Sequence, residues 1–166
     1  VEPVLRVHAV LRGEYAVLHR TLLAAVRDDQ VCRRLMTVPG VGAVVAMTFK
    51  SAIDQPERFQ HSKAVGAHFG LTPRKYQSGE VDRTGRISKV GDAAVRTALF
   101  EAANILLTRA ARWSSLKAWA LRVATRQGMK KAKVALARKL AVVLHRMWLD
   151  GTQFRWGSQA VAGSVA

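Results

Sequence analysis

The chain has 166 residues, 49% of them apolar, enough to bury one core of ordinary size. Lys and Arg number 27 against 11 Asp and Glu, a formal charge of +16 that argues for a polyanionic partner, either nucleic acid or an anionic membrane surface. One cysteine, Cys32, excludes an internal disulfide, no Cys/His spacing matches a zinc site, and no apolar run is long enough for a membrane helix. The opening VEPVLRVHAV is too polar for a secretory signal, and a first residue Val1 in place of methionine leads us to expect a start inside a longer protein.

Residues 4–29 read as one amphipathic helix. Val4, His8, Leu11, Tyr15, Leu18, Leu22 and Ala25 follow the alternating spacing of a heptad seam, and twenty-six residues span roughly 40 Å. Two readings stand: a helix lying on its own core, or a coiled-coil arm that pairs subunits. Residues 31–53 read as helix, tight turn, helix, with Val38-Pro39-Gly40-Val41-Gly42 at the turn and AVVAMTFKSAI after it. A loop over 54–60 and a short helix capped by Ser62 and ended at Gly70 come next.

Residues 71–91 (LTPRKYQSGEVDRTGRISKVG) are rich in glycine and basic residues and poor in apolar periodicity. Alternation around Lys75–Ser78 and Arg86–Lys89 allows a short β-hairpin. Asp92 then caps a helix over 93–110, and Ser114 or Ser115 caps a second that ends at Gly128. A third runs from 129 to 149, with Trp113, Trp119 and Trp148 at apparent core positions. The tail 157–166 reads as disordered. The sum is an all-α domain with a helix-hairpin-helix, a long N-terminal heptad helix (1–30), a body over 31–156 and one basic, glycine-rich loop.

No Asp or Glu occurs between Glu101 and Asp150, while Arg109, Arg112, Lys117, Arg122, Arg126, Lys130, Lys131, Lys133, Arg138, Lys139 and Arg146 do. Helices that give up i,i+4 pairing in this way repel themselves unless an anion lies against them, and a phosphate backbone fits better than a solvated face. The PGVG turn resembles a helix-hairpin-helix, in which Gly40, Val41 and Gly42 offer backbone N–H groups to a DNA phosphate without reading a base. Lys50 is a candidate second phosphate contact. In the loop, Ser78 lies among Arg74, Lys75, Arg83, Arg86 and Lys89, where a serine alkoxide and its phosphoryl acceptor would both be stabilised by positive charge. A Ser-Gly pair in a loop is also simply a turn, and Ser88 competes for the role. The acidic residues are too scattered for a two-metal nuclease site, so no metal site is expected in this chain.

LMTVPGVGAVVAMTF, then HFGLTPRKYQSGE, then GRISKVGDAAVRTALFEAA, with KKAKVALARKLAVVLHRMW closing, resembles the C-terminal domain of DEDD-type insertion-sequence transposases, which Piv-type DNA invertases share. The likeness runs over roughly residues 31–149. It implies a parent protein with an N-terminal RuvC-like domain whose acidic residues bind Mg2+, a coiled coil joining the two, and a serine that attacks DNA in a composite site between subunits. It further implies DNA as partner, a structured guide RNA in some branches, a dimer or tetramer through residues 4–25, and a bacterial, nucleoid-associated cytoplasmic protein with no membrane contact. The nucleophile carries over onto Ser78, although Gln77-Ser78-Gly79 stands where the family commonly reads Ser-Ser-Gly. Without the acidic domain the chain is not expected to cleave DNA alone, whether it is a cut piece or a remnant gene. Two other functions stay open: a non-enzymatic, sequence-independent nucleic-acid-binding module, and a dimerisation fragment.

Overall fold

The computed structural model describes residues 1–78 and 81–156, and within residues 75–84 the backbone only. The expected tail 157–166 lies outside the described residues. Seven α-helices and one two-stranded sheet are present among them: α1 (Glu2–Asp28), α2 (Gln30–Leu35), α3 (Ala43–Ile53), α4 (Ser62–His68), β1 (Pro73–Ser78), β2 (Val81–Ile87), α5 (Ala93–Thr108), α6 (Ser115–Gln127) and α7 (Met129–Asp150). This is the all-α fold the periodicity predicts.

Alanine-rich stripes let the helices approach closely. α7 contributes Ala132, Leu136, Ala137, Leu140, Ala141 and Leu144 to the core and is packed by α4, α5 and α6. α5 answers with Val95, Leu99, Ala102, Ala103 and Leu106, and carries α3 on another side. Phe49 and Phe69 meet edge to face where α3 and α4 end, with ring centroids 5.9 Å apart. α1 differs: residues 2–18 are exposed, and only its last turns, at Leu22 and Val26, reach the core beside α2 and α3.

The expected caps at Asp92 and Ser114 form. Asp92 accepts from the Ala94 and Val95 amides, and Ser114 from that of Lys117. Three expectations need correction. Ser62 is the first residue of α4 rather than its cap, because its hydroxyl turns to the Nδ1 of buried His145, 3.0 Å away, whose Nε2 lies 2.9 Å from the Pro56 carbonyl. A neutral ring that donates from Nε2 and accepts at Nδ1 satisfies both partners. Trp113 is 55% exposed on the α5–α6 connection, whereas Trp119 and Trp148 do pack on the core. The hairpin forms, but its second strand begins at Val81, five residues earlier than the alternation suggested.

The last described residues return to the body of the fold. After Gly151, residues 152–156 cross back as a strap, and the Phe154 amide donates to Thr37 Oγ1 at 2.9 Å. Trp156 lies against Phe154 and beneath the Arg112 guanidinium.

Candidate nucleic-acid interface

The turn between α2 and α3 is pinned from inside. Val38 and Val41 are buried, and Thr37 Oγ1 donates to the Arg34 carbonyl at 2.6 Å. The two glycines differ in kind. Gly40 has φ +89, and a Cβ there would run into the Ala102 carbonyl of α5, so the fold itself demands glycine. Gly42 has an extended backbone (φ −97, ψ −176), and a Cβ there would meet nothing within 4 Å. Nothing inside the fold requires glycine at 42. Glycine at the head of a helix suits the close approach of an outside group.

Gly42 caps α3 without a side-chain acceptor, and the first turn of α3 holds no acid. The N–H groups that open the helix have no side-chain partner, and exposed Gly42 and Val44 alternate there with buried Ala43 and Val45, with the positive end of the dipole behind them. Val41 corrects the expectation that its N–H is free for a phosphate: its side chain is buried and its N–H already donates to the Val38 carbonyl at 3.0 Å.

Lys50 stands in the last turn of α3, roughly 10 Å along the axis from Ala43, and its ammonium pairs with the Asp29 carboxylate. Asp29 also caps α2 by accepting from the Cys32 amide at 2.8 Å. Burial pushes the Asp29 carboxyl up, but the hydrogen bonds from Lys50 and the Cys32 amide, with the Lys50 charge, outweigh it and hold it below its ordinary value. A phosphate at Lys50 would have to displace this pair. Cys32 is buried, and burial first, then the Asp29 charge, pushes its thiol up to about 11, so it stays protonated and is no nucleophile.

The hairpin grows from a backbone clamp. The Ser88 amide donates to the Thr72 carbonyl at 2.9 Å and the Lys89 amide to that of Gly70 at 3.0 Å. Arg74 donates from its guanidinium to the Ser88 carbonyl. Gly91, at φ +92, passes so close to α4 that a Cβ would strike the His68 carbonyl. Arg96, in the first turn of α5, directs one Nη to three carbonyls: Gly91 at 2.8 Å, Phe69 at 3.3 Å and Val90 at 3.4 Å. It ties the hairpin's outgoing strand to the end of α4. Sequence reasoning missed Arg96, yet a signal existed: a cation at the positive end of a helix needs acceptors from elsewhere.

Ser78 ends β1 opposite Val81, and Ser88 lies just past β2 at the hairpin base. Six residues of strand separate Thr72 from Ser78, so the two serines stand roughly 20 Å apart and cannot serve the same phosphate. Lys75 and Arg83 lie on the paired strands at Lys75↔Thr84 and Tyr76↔Arg83. Arg86 is exposed, and Lys89 adopts a left-handed backbone (φ 57) where the strand leaves the sheet. Both the glycine turn and the hairpin clamp rest on α5, at Ala102 and Arg96, about 9 Å apart along its axis. Lys130, Lys131 and Lys133 stand on another element, the first turns of α7, where no acid balances them. Only Lys50–Asp29 and Arg146–Asp150 form ion pairs among the described residues. No group of three or more His, Cys, Asp or Glu converges among them, and no described helix is long and apolar enough to cross a membrane.

A helix start on a glycine turn, a hairpin clamped at its base and a first turn of α7 without acids are the features of the described residues that could meet an anion. The chain belongs to the transposase IS116/IS110/IS902 family, whose model matches residues 32–120, from α2 into α6. It is 30% identical over 147 residues to the transposase for insertion sequence element IS1111A of Coxiella burnetii, covering 88% of this chain and 40% of that protein. It is 31% identical over 138 residues to the IS1328 transposase of Yersinia enterocolitica, covering 82% of this chain and 41% of that protein. A probable family 20 transposase of Pseudomonas aeruginosa is 30% identical over 148 residues, covering 89% and 44%. The chain thus spans about two fifths of the length of these relatives.

Proposed function

We propose that this chain is the DNA-binding, serine-bearing part of a transposase, with residues 31–156 as the working domain and residues 1–30 as an arm that joins subunits. The observation that carries the reading is Gly42: a glycine the fold does not need, heading a helix whose first amides have no side-chain cap. A phosphate oxygen can approach there as closely as a backbone allows. Ser78, at the far end of a hairpin clamped by Arg96, is the nucleophile. Lys75 and Arg83, nearer the hairpin's far end, would steady that phosphate's charge, Arg74, Arg86 and Lys89 at its base would hold the DNA backbone further along, and Lys130, Lys131 and Lys133 would extend the DNA track along α7.

Attack by the Ser78 hydroxyl on a DNA phosphate would form a phosphoserine ester and release a 3′ oxygen, with the hydroxyl proton passing to a base. The acidic, Mg2+-binding half of the site would come from the parent's N-terminal domain on another subunit, so the chain alone binds without cutting. A structured guide RNA would select the target in this scheme, since the turn reads no base. Support comes from the family match across the turn and the hairpin.

The test uses the full-length transposase and its element ends. Ser78→Ala is expected to abolish strand exchange and to leave DNA affinity within about twofold; Gly42→Asp is expected to weaken duplex binding on the order of tenfold with melting unchanged. Retained exchange by Ser78→Ala would move the nucleophile to Ser88 or remove it. Affinity that stays flat as salt rises would overturn the DNA reading itself, because each neutralised phosphate steepens the salt dependence.

A further inference from the structure

A second concavity lies away from the glycine turn, between α6, α7 and the strap of residues 152–156. It is an open concavity of about 680 Å³, a volume within the ~300–1,000 Å³ usual for ligand clefts. Trp119 and Phe154 are its aromatic residues, and Arg122, Lys139, Arg146 and Arg155 its basic ones. Asp150 is the only acid in the lining, and it already pairs with Arg146 at 3.4 Å.

Two of these cations, Arg122 and Lys139, stand together without an anion. Lys139 Nζ stands 4.1 Å from the centre of the Trp119 ring. Neither Arg122 nor Lys139 has an acidic partner among the described residues. Burial, and then the positive charge of Arg122, lowers the Lys139 ammonium below its ordinary value. A soluble helix pair ordinarily places a Glu or Asp between such groups, and here α6 has none and α7 has only its last residue.

Duplex DNA is a rod that turns its phosphates outward and stacks its bases inside, so it has no free base to offer the aromatic side chains of this concavity. An unpaired nucleotide does match: phosphate for the cations, base for the aromatic side chains, the pairing by which single strands are held without sequence preference. We propose that the α6–α7–strap cleft is a single-strand site, in which Arg122, Arg146 and a Lys139 that leaves the Trp119 ring take the backbone phosphates of one or two unpaired nucleotides, and a base takes the ammonium's place on Trp119. This rests on the reading of the chain as nucleic-acid-binding and adds to it a surface for strands that are not in a duplex.

The experiment is a fluorescence-anisotropy titration of the whole chain at fixed salt with an oligo(dT) of about 12 nucleotides, an abasic strand of equal length, an oligo(rU), and a short blunt duplex. Oligo(dT) is expected to bind at least about fivefold tighter than the abasic strand, the least that one stacked base contributes. Arg122→Gln with Lys139→Gln is expected to weaken oligo(dT) about tenfold and the duplex less than about threefold. Trp119→Leu should erase the preference for oligo(dT) over the abasic strand. If that variant fails to fold, the two polar substitutions on exposed or half-exposed positions carry the test. The ratio of oligo(rU) to oligo(dT) affinity assigns the strand to RNA or DNA. Equal binding of abasic and base-bearing strands, or equal loss of duplex and single strand in the double variant, would overturn the site. So would displacement of oligo(dT) by a polyglutamate of the same charge as effectively as by unlabelled oligo(dT). Loss of duplex binding in Gly42→Asp reads the glycine turn independently, so the two readings can fail separately.

Discussion

The two longest helices, α1 and α7, are both amphipathic, but α1 mixes Glu2, Glu14 and Asp28 with its arginines, whereas α7 has one acid, Asp150, among its cations. α7 has eight buried residues, and α1 has one, Val26. Along the α1 seam, Val4, Leu11, Tyr15 and Leu18 are 71%, 63%, 65% and 69% exposed. The difference teaches that an apolar stripe announces a partner without saying where the partner is. α7 finds its partners in α4, α5 and α6 of its own chain, and α1 meets the body only where it ends. A row of large apolar side chains left open at heptad spacing is what a second copy would cover.

That contrast can be broken at several points. Leu140, fully buried in α7, should cost about 2–5 kcal/mol as Leu140→Ala, read by denaturant melting. A loss near zero would mean that α7 is not the core's axis. At the junction between arm and body, Asp29→Asn removes the charge that Lys50 answers while keeping a capping acceptor. It should cost less than about 1 kcal/mol at neutral pH, since the pair is partly exposed. Because the folded carboxyl sits below its ordinary 3.8, its contribution is complete above that value and disappears as the pH falls through the lower folded one. The melting difference between the two proteins should therefore close in acid, and a gap that persists there would deny the ion pair its role. Smallest for the body is Leu11→Glu with Leu18→Glu in the arm: melting of the body unchanged, self-association in sedimentation equilibrium lost. A native protein that sediments as a monomer at high concentration would remove the arm's proposed partner.

Local chemistry carried most of the fold into view. Asp92 and Ser114 cap the helices they were expected to cap, because an acceptor one residue ahead of an apolar period needs only its own neighbours to act. What stayed hidden depends on distance along the chain. Ser62 looks like a cap until His145, 83 positions on, takes its hydroxyl. Trp113 looks like core because its neighbours are apolar, but it falls on a connection that turns it outward. Arg96 looked like one more cation and instead holds three carbonyls from two other segments. At the candidate site, the PGVG pattern marked the turn but could not separate Gly40 from Gly42. Only the packing of α5 shows which glycine the fold needs.

The hairpin clamp has a consequence for how such a chain can change. The attachment seen in the described residues runs through Gly70–Arg74, Arg86–Gly91 and the single Arg96 guanidinium, and most of its acceptors are backbone carbonyls. A socket made of main-chain atoms is indifferent to which side chains lie beyond it. Hairpins of other lengths and sequences can be plugged into the same helical body, so the body can be inherited intact while the tool it holds is exchanged.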